Sequence, residues 1–166
     1  GKGMLRQEAT QNMIASAREH GIPVIVDPKG GEYGKYQNAS ILTPNLREIS
    51  EVVGSFNSDA ERKVKALQVI EDLKLEFLLV TLGAEGMVLF SSKGVVLEAS
   101  SQAHQAFDVS GAGDTVVAIL ASELARGSEI KAAVTKSNFA AGIAVQRIGT
   151  ATVSREEIEH EVQGKN

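Results

Sequence analysis

Apolar and polar positions along this chain change period repeatedly between helical and extended spacing. From Leu5 to His20 the pattern is helical, with Met13, Ile14 and Ala17 apolar and Gly21 as a stop. Pro23-Val24-Ile25-Val26-Asp27 is a short β-rich apolar run between prolines, which predicts a buried strand. Pro28 to Asn38 carries Gly30, Gly31 and Gly34 and is predicted as a loop. Ser40 to Thr43 predicts a second strand, stopped by Pro44. Asn45 has the chemistry of an N-cap, with Glu48 three residues on and a helix through Val53. Ser58 caps a further helix running to about Leu73.

Phe77-Leu78-Leu79-Val80-Thr81 has no polar alternation and predicts a strand covered on both faces. Gly86 to Phe90 and Val95 to Ala99 predict a hairpin across Ser92-Lys93-Gly94. Gly113 to Ala125 and Ser128 to Gln146 predict two Ala-rich helices, and Ser154 starts a last one ending near Val162. This order predicts an α/β fold, with helices layered on a mostly parallel sheet. No repeat, low-complexity tract or linker interrupts it, so residues 1–166 are expected to form a single folding unit.

Composition narrows the function classes. The chain is 43% hydrophobic and 23% charged with net charge -4, an ordinary globular balance. That mild acidity argues against nucleic acid as a partner. Only 4% of residues are aromatic and there is no Trp, so a base-stacking platform is not expected. The absence of cysteine excludes disulfides and thiolate metal sites and fits a reducing compartment. No apolar run approaches the length of about 18 residues that a membrane span needs. Gly1-Lys2-Gly3-Met4 lacks a signal-peptide core, so a cytoplasmic protein is expected.

Ligands of open α/β sheets bind beyond the carboxyl ends of the strands. Four features fall there. Gly111-Ala112-Gly113-Asp114 sets a glycine turn against the start of an apolar helix. Free backbone N–H groups at such a start attract an anion, and Asp114 is placed to act as a general base. The plain alternative is a tight loop with a helix-start carboxylate. Thr81-Leu82-Gly83-Ala84-Glu85-Gly86 follows a buried strand, and its glycines either admit a ligand or simply form a turn. Asn45 and Glu48 lie one helical turn apart, either as oxygen donors to hydrated Mg2+ or as a capping pair. Lys29, in Asp27-Pro28-Lys29-Gly30, either neutralises phosphate or is a solvated loop lysine. Asn138, a poor residue for a helix interior, hydrogen-bonds either a ligand or a neighbouring loop. His20, His104 and His160 have no ligand spacing, and Glu156-Glu157-Ile158-Glu159 reads as a solvated helix face.

Together these features resemble a known family. Asp108 to Leu120 is similar to the second signature of the ribokinase-like carbohydrate kinases of the phosphofructokinase-B type. Asn45 to Glu48, Thr81 to Gly86 and Gly111 to Asp114 match that family's motifs in order. More narrowly, Pro23 to Gly30, Leu42 to Asn45 and Gly149 to Ser154 resemble the heptose 7-phosphate kinase branch. In that branch the kinase is often the N-terminal part of a bifunctional kinase/adenylyltransferase serving lipopolysaccharide synthesis.

The resemblance implies a three-layer α/β/α fold and ATP-dependent phosphorylation of a sugar hydroxyl. It implies Asp114 as base and the N–H groups of Gly111, Ala112 and Gly113 as an anion hole. It further implies Asn45 and Glu48 at Mg2+, Thr81, Gly83 and Gly86 along the ATP phosphates and ribose, Asn138 near the nucleotide, and Lys29 as a weaker phosphate ligand. The substrate is expected to be a sugar or sugar phosphate.

The resemblance begins near the family's middle, so the N-terminal half with the sugar lid is expected to be missing. The chain then reads as an excised piece, a proteolytic remnant or half of a split enzyme. Its partners would be that half or a second copy in a homodimer, its first strand being the exposed edge. Another ribokinase-like sugar kinase, or a non-catalytic nucleotide- or partner-binding piece, is the alternative function. A dinucleotide-binding oxidoreductase is disfavoured, because no third glycine follows Gly111-Ala112-Gly113 at the required offset.

Overall fold

The structure is a computed structural model that describes residues 7–102, 111–147 and 152–164. Asp108, His104 and Gly149 to Ala151 lie outside these residues. The elements run α1 (Gln7–Glu19), β1 (Ile25–Val26), β2 (Ile41–Leu42), α2 (Leu46–Val53), α3 (Asp59–Leu73), β3 (Phe77–Thr81), β4 (Met87–Ser91), β5 (Gly94–Ala99), α4 (Ala112–Ala125), α5 (Ile130–Val145) and α6 (Arg155–Gln163). The chain separates into two compact units, Gly1–Thr81 with Val88–Leu97 and Leu82–Met87 with Glu98–Asn166.

The sheet has the strand order β1-β2-β3-β4-β5. The first three strands are parallel, with Ile25 opposite Ile41 and Ile41 opposite Phe77. β1 is an edge, as its place in the chain predicts. Leu78, Leu79 and Val80 are fully buried, which accounts for the unbroken apolar run in β3. Ile41, Leu42, Ile49, Ala66, Ile70, Leu89 and Phe90 complete the first unit's core. Each large aliphatic side chain buried there contributes about 1.5–3 kcal/mol.

The first two strands are shorter than their apolar runs. The Val24 carbonyl accepts from the N–H groups of Ser40 and Ile41, while Val24 N–H donates to Ser40 Oγ instead of to a neighbouring backbone. Regular pairing therefore covers only Ile25 and Val26. The predicted loop over Pro28 to Asn38 contains a 3-10 turn, Tyr33–Tyr36, whose two tyrosines are buried edge to face. With three residues per turn, Tyr33 and Tyr36 fall on one side of it.

The second unit is built from α4, α5 and α6. Ile158 of α6 packs on Phe139 and Ala140 of α5. Glu123 of α4, 6% exposed, accepts from Lys136 Nζ at 2.6 Å and Ser128 Oγ at 2.8 Å. The Lys136 ammonium holds that carboxyl below its ordinary value. Ser128 is thus used by Glu123, and Glu129 takes the N-cap position of α5. Glu157 does not lie idle on a solvated face. Its side chain accepts from Ser154 N–H and pairs with Arg147, closing a capping box at the start of α6.

Candidate active site

One group of predicted residues meets at the ends of β1, β2 and β3 in the first unit. Asn45 is bridged to Thr81 in parallel pairing, and Thr81 N–H donates to Pro44 O at 3.0 Å. Asn45 is also the N-cap of α2. Its Oδ1 accepts from Glu48 N–H at 2.9 Å, and Glu48 Oε2 accepts from Asn45 N–H at 2.9 Å. The capping reading of this pair is therefore realised. Glu48 Oε1 remains, and it takes Lys29 Nζ at 2.9 Å. The same ammonium reaches Asp27 Oδ2 at 2.9 Å.

Lys29 is thus neither free nor merely solvated. The Glu48 hydrogen bond, outweighing the cost of burial and helped by Asp27, holds its ammonium above the ordinary lysine range. In the sequence Asp27 reads only as the residue ending a strand. Its partner Glu48 lies in a different element, so spacing gave no signal of the pair. Tyr33 lies in the same unit. Its buried hydroxyl has no hydrogen-bond partner among the described residues, and burial pushes its pKa up.

The second unit holds the remaining candidates. Gly83 opens a 3-10 turn, Gly83–Glu85, with a positive φ of 62° and open space where a Cβ would stand. Gly86 is different. A Cβ there would lie 2.0 Å from Ala99 O and 2.6 Å from Ser101 N. Its glycine is required by a close crossing of the backbone of the Ala99–Ser101 segment. Asn138, 5% exposed, donates from Nδ2 to Ser100 O at 2.7 Å in that same segment. Of the two readings of Asn138, the structure shows the neighbouring-loop contact.

The start of α4 is open. Gly111 is its N-cap, in the left-handed region at φ 79°, and has no side chain to cap the helix. Its carbonyl accepts from Thr115 N–H and Thr115 Oγ1, each at 2.9 Å. The next positions are Ala112 and Gly113, which also lack capping atoms. Among the described residues, a Cβ on Gly111 or Gly113 would meet nothing within 4 Å. Asp114 follows at the third helical position, exposed to solvent. Backbone donors, a helix dipole and a carboxylate thus coincide in a place that an anion can approach.

The family model described as pfkB family carbohydrate kinase matches residues 2–157. This chain belongs to the pfkB carbohydrate kinase family. It is 48% identical over 163 residues to the bifunctional protein HldE of Hahella chejuensis, covering 98% of this chain and 34% of that protein. It is 44% identical over 165 residues to the bifunctional protein HldE of Histophilus somni, again covering 34% of the relative. The chain therefore spans about a third of the length of these curated relatives. Among solved structures, Arabidopsis thaliana ribokinase complexed with ribose and ATP superposes with a TM-score of 0.83 at 23% identity, over 93% of this chain and 52% of that one. Thermotoga maritima ribokinase gives 0.79 at 26% identity, over 94% and 53%. The fold is thus the ribokinase-like α/β/α fold expected from the motifs.

The α4 start suits a phosphate, since among the described residues Gly111 and Gly113 leave the space of two Cβ atoms open and Gly111 brings no capping side chain. The Asp27–Glu48 pair suits a cation, because it already converges on the ammonium of Lys29, and its donors are the hard oxygens that Mg2+ prefers.

Proposed function

We propose that this chain is the phosphoryl-transfer side of an ATP-dependent sugar kinase, acting on D-glycero-D-manno-heptose 7-phosphate. The observation that carries the reading is the start of α4. There Gly111, Ala112 and Gly113 offer no capping side chain, and Asp114 stands exposed at the third position. Family membership and the identity to HldE proteins support the reaction class and the heptose substrate.

In this reading Asp114 takes the proton of the attacking hydroxyl. The N–H groups of Gly111, Ala112 and Gly113 hold the charge on the transferring phosphoryl oxygens, and the α4 dipole adds to them. Asn45 and Glu48, with Asp27 beside them, would hold Mg2+ through water. Thr81 and Gly83 would line the nucleotide phosphates. Asn138 and Gly86 would act on the nucleotide side by fixing the Ala99–Ser101 segment. Bound ATP supplies the phosphoryl group, and Mg2+ neutralises its charge.

We further propose that sugar binding and closure come from chain that the relatives possess beyond these 166 residues, and that the whole works in the cytoplasm. The exposed β1 edge would take up that half or, without it, a second copy of this chain. The test is ADP release from Mg2+-ATP by the complete kinase carrying this segment. Heptose 7-phosphate should stimulate release, and the 166-residue chain alone should show none. If the complete enzyme ignores heptose 7-phosphate but turns over another sugar phosphate, the substrate assignment is wrong. If no sugar stimulates release, the kinase reading itself is wrong.

A further inference from the structure

Lys29 sits where a metal ion would compete with it. The residue before it, Pro28, is fully buried, and Lys29 N–H donates to the hydroxyl of the fully buried Tyr36 at 3.3 Å. Gly30, with a φ of 75°, turns the chain away directly afterwards. The backbone is therefore fixed, while the side chain is 61% exposed and has room to swing outward once another cation takes its place between the two carboxylates. Its ammonium lies 2.9 Å from Asp27 Oδ2 and 2.9 Å from Glu48 Oε1. One positive charge serves two carboxylates and leaves the pair under-neutralised, so a divalent ion would satisfy it better.

We propose that Lys29 is a tethered resident cation, holding the Asp27–Glu48 pair in the metal-free protein and giving it up when a divalent ion enters. The exchange has a chemical consequence. Once displaced, the ammonium is a free positive charge on a short tether beside the metal, available to an anionic phosphate only after the metal has arrived. Lys29 would then be a gated phosphate ligand. The inference rests on the divalent-cation reading of this pair.

The experiment measures binding directly, without turnover. Mn2+ is titrated into the 166-residue chain and followed by the loss of its free-ion electron paramagnetic resonance signal. Melting temperature is recorded in parallel with MgCl2 at constant ionic strength. Because the Lys29 side chain is itself largely exposed, its ion pairs are screened by solvent, and Lys29→Met should bind Mn2+ about 3- to 10-fold more tightly than the wild type. It should also gain more melting temperature from Mg2+. Lys29→Arg keeps a resident cation and should stay near wild type. Lys29→Gln guards against a folding defect of the Met variant and should follow it. Glu48→Gln should weaken binding in either background. Equal Mn2+ affinities for wild type and Lys29→Met, or weaker binding by Lys29→Met, would overturn the exchange while leaving the metal reading standing. Absence of Mn2+ binding in both would overturn the two together.

Discussion

Glu48 and Asp114 occupy the same place in their helices, the third position of α2 and of α4, and they meet opposite fates. Glu48 folds back onto the N–H of Asn45 and is engaged again by Lys29. Asp114 stays exposed at a helix start whose N-cap is Gly111. Two differences in the sequence produce the contrast. Asn45 offers a side-chain oxygen to the helix, which Gly111 cannot. Glutamate also reaches one methylene further back than aspartate. A capped start satisfies its own donors and gains stability. A start capped only by glycine forgoes a few tenths of a kcal/mol and keeps its donors for a ligand.

The same isosteric change at the two equivalent positions breaks the comparison most directly. In the complete kinase, Asp114→Asn should lower turnover by about 10²–10⁴-fold, the range of a lost general base, with little change in the KM for ATP. Glu48→Gln should leave the α2 cap standing, since a glutamine oxygen still accepts the Asn45 N–H. It should instead raise the Mg2+ concentration for half-maximal rate. Steady-state kinetics at several Mg2+ concentrations separate the two, and matching profiles would show that the two carboxylates do not divide the work in this way.

A second contrast lies between glycines. Gly86 is held by the backbone of Ala99–Ser101, whereas Gly113 faces open space. Gly86→Ala combines a φ of 104° with an overlap at 2.0 Å, and should cost about 3 kcal/mol or more, read as a large fall in melting temperature. Gly113→Ala should be tolerated or raise stability by a few tenths to about 1 kcal/mol, because alanine favours the helix. A loss of ATP use in that stable variant would mark Gly113 as kept for the ligand.

These glycines also show what the sequence could and could not disclose. The Asn45–Glu48 capping box was legible because it acts across three residues of local chain, whereas Glu157 in the box at Ser154 was masked by the acidic run around it, which reads as a solvated face. The buried β3 run and the ribokinase-like motif order were legible for similar reasons. The reason for Gly86 was not, since the atoms that exclude a Cβ come from Ala99 to Ser101. Neither was the Lys29 pairing, whose Glu48 partner is 19 residues away. The Asn138 partner is 38 residues away, so its residue type signalled a role without naming it. Tyr33 and Tyr36 were hidden by the surrounding glycines, although their spacing of three matches a 3-10 turn.

Smaller effects separate the two kinds of helix start. Asn45→Ala removes the α2 cap and should cost about 0.5–2 kcal/mol by chemical denaturation. The smallest effect is a pH dependence at α6, whose box resembles that of α2. The Glu157 carboxyl is held below its ordinary value of 4.5, first by the Ser154 N–H and then by Arg147. A carboxyl lowered by folding binds fewer protons in the folded state, so its stabilisation is present above pH 4.5 and is lost as pH falls through the lowered value. Acid should therefore loosen α6 below about pH 4.5, and Glu157→Gln should flatten that limb of the stability profile. Hydrogen exchange of the α6 amides against pH makes the measurement, and an unchanged acid limb in Glu157→Gln would assign the loss to other carboxyls, Glu123 first among them. The open start of α4 has no such box to lose, so its amides should exchange freely on both sides of that pH until an anion occupies them.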